Sequence, residues 1–317
     1  MTRPGPMALT LEAREVPLGG LRAMKVRRSL PQRGLPTIGA WCFLDRFGPQ
    51  EAVMRVEPHP HIGLQTVTWP LVGEVRHRDG LGSDVVLRRG ALNLMTSGHG
   101  IAHSEYSLGE DPAPLDALQL WVALPEEARH GAPGFETHAS LPTVGLRALR
   151  GDDAVATVIM GVLAGVESPA TTYTPIVGAE IAIPAGSTVR VPLDPEWEHG
   201  VVAVSGDVEV ADGTVADAAG TLGAPPPDGI LYLGTDRSEI TLSSAAGATV
   251  VLLGGEPFPD ALVMWWNFVG RNHDEILAAW HDWNGRTGRF AEVPGHDTRI
   301  PAPPMPEVRL TPRMQTA

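Results

Sequence analysis

Apolar and polar positions alternate, or run apolar for about four to eight residues, between glycine, proline and aspartate along most of the chain. The segments "DVVLRRGALNLMTSG", "DALQLWVALP", "VATVIMGVLAG", "STVRVPL", "HGVVAVSGDVEV" and "ATVVLLGGEP" all have this form. A period of two sends successive side chains to opposite faces, so each segment predicts one strand, or two broken by a turn. Together they predict an all-β barrel or sandwich. One stretch reads differently. In "NHDEILAAWHDWNGRTG", Asn272 is placed to cap a helix with Glu275 three residues on, Ile276, Trp280 and Trp283 share a face, and Gly285 ends it. That stripe is read as packing.

The two halves echo each other. "GLQTVTWPLVGEVRHRDG" and "HGVVAVSGDVEVADG" both run through an apolar strand, a glycine, an acidic residue and a valine to a turn ending in Asp-Gly, which suggests a duplicated β unit. The division is expected near residue 150, with a first unit over 1–150 and a second over 151–317.

Candidate chemistry falls in the first unit only. In "VEPHPHIGLQTVTWPLVGE", His59 and His61 stand two apart at the start of a strand, where both rings turn to one side. About forty residues on, "LNLMTSGHGIAHSEYS" repeats the spacing with His103 and Glu105, approached through Gly98 and Gly100, which permit a tight turn. Three neutral imidazoles and a carboxylate suit a divalent first-row metal such as Fe(II), Mn, Ni, Cu or Zn, and octahedral coordination would leave two positions open. The second unit offers only His199, beside Glu196 and Glu198, read as a surface or hydrogen-bonded histidine. His77 and His99 are read as flanking the site or as turn residues, Gln119 as lying on the next strand, and Trp121 as core.

Composition narrows the classes. A formal net charge of -13 argues against nucleic acid and anionic membranes as partners. The one basic stretch, "LRAMKVRRSLPQR", reads as a half-exposed strand. Cys42 is the sole cysteine, which excludes an internal disulfide or a cysteine zinc site. No secretion signal or membrane span is read, so the cytoplasm is expected.

Taken together, "FLDRFGP", "HPHIGLQTVTW", "GALNLMTSGHGIAHSE", "LQLWVALP", "LLGGEPF", "MWWNFVGRNHDEI" and "RIPAPPMPEVRL" resemble the pirin family of the cupin superfamily over nearly the whole chain. The resemblance implies a bicupin: two cupin-type β-barrels face to face, a short C-terminal helix, and a metal in the N-terminal barrel on His59, His61, His103 and Glu105. It implies iron as that metal. It also implies either of two roles. One is quercetin 2,3-dioxygenase-type cleavage of a flavonol-like substrate with O2, in which Glu105 takes the substrate's proton. The other is redox-dependent binding of a protein partner, a metabolic enzyme or transcription regulator. Many members have Arg and Glu where this chain has Ile62 and Gln65, and Gln65 is expected to sit just behind the ligands and tune the metal. The paired tryptophans of "EPFPDALVMWWNFVG" are expected to be buried.

Overall fold

The computed structural model describes residues 4–18, 24–213 and 220–313. Arg22, one cation of the basic stretch, lies outside the described residues; Met24–Leu30 form the half-exposed strand expected of the rest.

Every segment read as a strand contains one. The strands build two barrels, each a large antiparallel sheet against a smaller one. In the first barrel a seven-stranded sheet includes Trp41–Ala52, Leu64–Val72, Leu92–Thr96 and Ala113–Ala123. It faces a four-stranded sheet of Arg55–His61, Ile101–Ser107, Val75–Asp79 and Asp84–Leu87, in that order. The second barrel opposes sheets of eight and five strands and encloses its own core of Val158, Ile181, Val191, Val210, Leu231 and Leu242.

The two large sheets meet back to back through a shared apolar layer. Leu44, Val67, Trp69, Leu118 and Leu120 from one side pack with Met160, Val202, Tyr232, Val251 and Leu253 from the other. Trp41 crosses it: its indole N–H donates to the carbonyls of Val177 (3.0 Å) and Gly254 (3.3 Å). Gly178 makes room for that ring, since a Cβ there would lie 2.7 Å from Trp41 Cζ2.

The expected boundary at residue 150 is not where the chain crosses between barrels. Thr143–Leu146 and Ala148–Arg150 already pair within the second barrel, and so does Pro6–Leu11, which runs antiparallel to Ile230–Gly234. The C-terminal segment returns to the first barrel, where Phe268, Ile276, Trp283 and Phe290 pack on Ile62 and Ala102. The helix spans His273–Gly285, and the Asn272 side chain accepts the Glu275 N–H as expected. Gly285 is its last helical residue; the left-handed cap falls on Arg286 (φ 53°), whose N–H closes the final turn.

Candidate metal centre

Three of the four predicted ligands converge. His103 pairs across strands with His59, and with His61 they form one buried group whose ligand atoms lie within 4.8 Å of one another. Each ring is held through its Nδ1. His59 Nδ1 is 2.9 Å from the Glu57 carbonyl, His61 Nδ1 is 3.1 Å from the Asn267 carbonyl, and His103 Nδ1 is 3.3 Å from His77 Nδ1. The two carbonyls accept only from an N–H, so His59 and His61 carry their protons on Nδ1 and leave Nε2 free. His61 Nε2 lies 3.1 Å from His103 Nε2, so the two rings bring these nitrogens to one point.

Glu105, the fourth predicted ligand, falls in an overlapping group with His103 and His77 rather than in the three-histidine group. His103 and Glu105 stay in regular pairing with Asp79 and His77, while the extra residue of the register shift falls in the neighbouring strand between Val56 and His59. The Thr68 hydroxyl lies 3.0 Å from Glu105 Oε1 and 3.1 Å from Gln119 Oε1. The donor set of neutral nitrogens with one neighbouring carboxylate fits a divalent transition metal.

Burial sets the charges. It holds His59 down at about 4 and depresses His61 and His103 well below the usual histidine range, with the neighbouring imidazoles adding to the effect. Burial likewise raises Glu105. His199 is also buried rather than on the surface, bonded to the Trp197 backbone and held at about 4. A histidine whose folded pKa lies below its unfolded value stabilises the fold fully above pH ~6.5, and that contribution fades as pH falls towards 4. Metal-free protein should therefore lose about 2 kcal/mol for each of His59 and His199 between pH 6.5 and 5. Glu105 acts oppositely: its contribution is present below its unfolded pKa and is lost as pH rises through its raised value. Urea unfolding of the apoprotein across this window measures the balance, and a flat profile would show that these imidazoles protonate without cost.

The cluster opens into a cavity walled by Phe43, Phe47, Met54, Val56 and Trp121, with Arg28, Asp45, Gln119 and Trp266 around it. It encloses about 540 Å³ including its open mouth. Phe43 and Trp121 stack at 4.0 Å, the Arg28 guanidinium lies 4.4 Å over Phe43, and Trp121 meets His61 edge-on. Arg28 is tied to Asp45 by two bonds of 2.7 and 2.8 Å. Trp121 is thus both core and cavity wall.

Other expectations change. Gln65 does not sit behind the ligands: its Nε2 donates to Thr96 Oγ1 and the Thr171 carbonyl, on the strand face opposite Thr68. Gly63 (φ 69°) breaks the strand between His61 and Gln65, so counting in twos from His61 does not carry across; a Cβ at Gly63 would also strike the Val269 carbonyl. His99 is exposed and bonds the Gly131 carbonyl in a turn, away from the cluster. Trp265 and Trp266 are half-buried, not buried; Trp266, left-handed at φ 52°, brings its side chain to the cavity, and the next residue's carbonyl holds His61. Sequence reasoning missed Thr68, Asn267 and Asp79. Of these only Asp79 left a signal, standing two residues from His77 on a strand.

Two family models match: Pirin over residues 23–122 and the pirin C-terminal cupin domain over residues 178–291. A Pseudomonas aeruginosa protein provisionally named quercetin 2,3-dioxygenase is 42% identical over 301 residues, covering 93% of this chain and 89% of that protein. A pirin-like protein of Caulobacter vibrioides is 33% identical over 306 residues, covering 93% of this chain and 99% of its own. Among solved structures, a quercetin 2,3-dioxygenase from Acinetobacter baumannii superposes with a TM-score of 0.85 at 35% identity, covering 96% of this chain and 98% of the other. The two-barrel fold, the histidine cluster in the first barrel and these matches along both barrels agree: the chain belongs to the pirin family, within the cupin superfamily.

Proposed function

We propose that the chain holds one divalent transition metal, iron by its family, on His59, His61, His103 and Glu105, and cleaves the ring of a flavonol-like substrate with O2. The observation that carries this reading is three inward-facing imidazole nitrogens at the floor of an aromatic-walled cavity. The metal, when bound, supplies the electron chemistry that O2 requires of an organic substrate.

The side chains supply the rest. Phe43 and Trp121 offer a stacked wall along which a planar aromatic lies. The narrow interior admits the hydroxyl-bearing edge of such a molecule, and its remaining rings extend through the mouth past Arg28 and Trp266. Gln119 keeps its amide nitrogen for a substrate oxygen while its Oε1 is engaged by Thr68. Glu105 accepts the substrate's hydroxyl proton. The Thr68 hydroxyl, within reach of both Glu105 Oε1 and Gln119 Oε1, ties the carboxylate to the amide. Burial, which raises Glu105, makes it a stronger acceptor for the substrate's proton.

The test is elemental analysis of protein purified without chelator, followed by aerobic incubation with quercetin beside His61→Ala. Metal near one per chain, release of carbon monoxide and loss of both in the variant are the expected results. Bound metal without turnover of any flavonol, and without a spectral change on anaerobic flavonol addition, would overturn the oxygenase reading in favour of a redox-dependent regulator.

A further inference from the structure

The three converging rings are not held alike. His59 and His61 rest on backbone carbonyls, which dictate their tautomer without help. His103 instead faces a second imidazole, whose Nδ1 either donates or accepts, so its tautomer is decided one residue further out. That residue is Asp79. His77 Nε2 lies 3.1 Å from Asp79 Oδ2, and both side chains are buried. Asp79 Oδ1 accepts the backbone N–H groups of Leu81 (2.9 Å) and Ser83 (3.0 Å), which pins the carboxylate in its turn. Phe135 stacks on His77 at 4.4 Å and 14°, so the ring has no room to swing away. Strand pairing sets the line: Asp79 stands opposite His103 and His77 opposite Glu105.

We propose that Asp79 and His77 are positioning residues that fix His103 as the Nδ1–H tautomer and so turn its Nε2 lone pair toward the metal. The carboxylate accepts a hydrogen bond from His77 Nε2–H, which leaves His77 Nδ1 as an acceptor, and His103 Nδ1–H donates to it. His103 Nε2 is left bare beside His61 Nε2. Carboxylates behind metal-bound histidines fix tautomer and orientation in this way directly, and here the effect passes through an additional imidazole.

Asp79→Asn tests the relay because the geometry dictates which way the amide points. Its oxygen is needed by the N–H groups of Leu81 and Ser83, which leaves the NH2 facing His77 Nε2. Two donors cannot face each other, so His77 moves its proton to Nδ1, His103 becomes the acceptor there, and its own proton shifts to Nε2. The metal-facing lone pair is lost with every side chain still in place. In metal-free protein at neutral pH, long-range nitrogen–proton correlation spectra of the imidazoles should show His103 as Nδ1–H in the wild type and Nε2–H in Asp79→Asn. Binding of Co(II), followed by its visible spectrum against a competing chelator, should weaken about 10- to 100-fold in Asp79→Asn and His77→Leu. His77→Gln, whose carbonyl can accept from His103 while its amide donates to Asp79, should restore most of the affinity. An Nε2–H tautomer in the wild type, or the same tautomer and Co(II) affinity in Asp79→Asn, would overturn the relay. The proposal rests on reading the histidines as ligands, and the spectra separate the two failures: the expected tautomers without Co(II) binding in the wild type would sink the ligand reading while upholding the relay. Should Asp79→Asn not fold, His77→Leu against His77→Gln decides, since equal affinities in those two would remove His77 from the relay.

Discussion

Replacing His103 by alanine should strip metal from the purified protein while both barrels stay folded. His103 is the shared member of the two buried donor groups, His59–His61–His103 and His77–His103–Glu105, so its loss leaves fewer than three donors in each. If a four-ligand site binds with roughly 10–16 kcal/mol, each ligand carries about 3 kcal/mol, or about a hundredfold in affinity. The backbone does not need the ring. Residue 103 pairs through its main chain with His59 on one side and Asp79 on the other, and the vacated space, lined by polar nitrogens, accommodates water. Elemental analysis and far-ultraviolet circular dichroism, read together, check the result. Unchanged metal content would remove His103 from the site, and loss of folded signal would make the histidine structural.

The fold was legible wherever the signal was local. Alternation bounded by Gly, Pro and Asp marks strands because one buried face imposes a period of two, and Asn272 with Glu275 marks a helix start because unpaired N–H groups need an acceptor. The pairing of Pro6–Leu11 with Ile230–Gly234 carries no such mark, since any half-buried strand would satisfy that edge. The site divides the same way. His59, His61, His103 and Glu105 were readable because each pair lies within one unbroken strand, whereas the bend at Gly63 hides the face on which Gln65 emerges. Asn267 left no trace because it acts through its carbonyl, which every residue has. The tryptophans were misjudged for a related reason: hydrophobicity predicts burial, but Trp266 at the tip of a hairpin is positioned by its left-handed backbone.

Arg46→Ala should lower the stability of the protein by about 3–5 kcal/mol, the effect of leaving a buried ion pair without one partner. Arg46 is a joint between the barrels: its Nε and Nη2 bind Asp116 at 2.8 and 2.6 Å, and its Nη1 binds Asp228 at 2.6 Å and the Val204 carbonyl at 2.7 Å. Burial alone would lower its pKa, but the two carboxylates outweigh burial and raise it. Without the guanidinium, Asp116 loses its cation in a buried position, while Asp228 keeps Arg27. Arg46→Met combined with Asp116→Leu should recover most of the loss, because removing both charges ends the desolvation cost that one would leave behind. The same strand links this joint to the cavity. Arg46 points to the second barrel, and its neighbours Asp45 and Phe47, on the opposite face, line the cavity with Phe43. The ligands stand on the other sheet of the barrel. Arg46→Ala should therefore retain metal yet bind an aromatic ligand more weakly. Urea unfolding gives the first value, and ligand titration of the metal-loaded variant gives the second. An unchanged unfolding midpoint would show that the joint carries no net stability, and metal lost in parallel with stability would show that the two sheets do not respond separately.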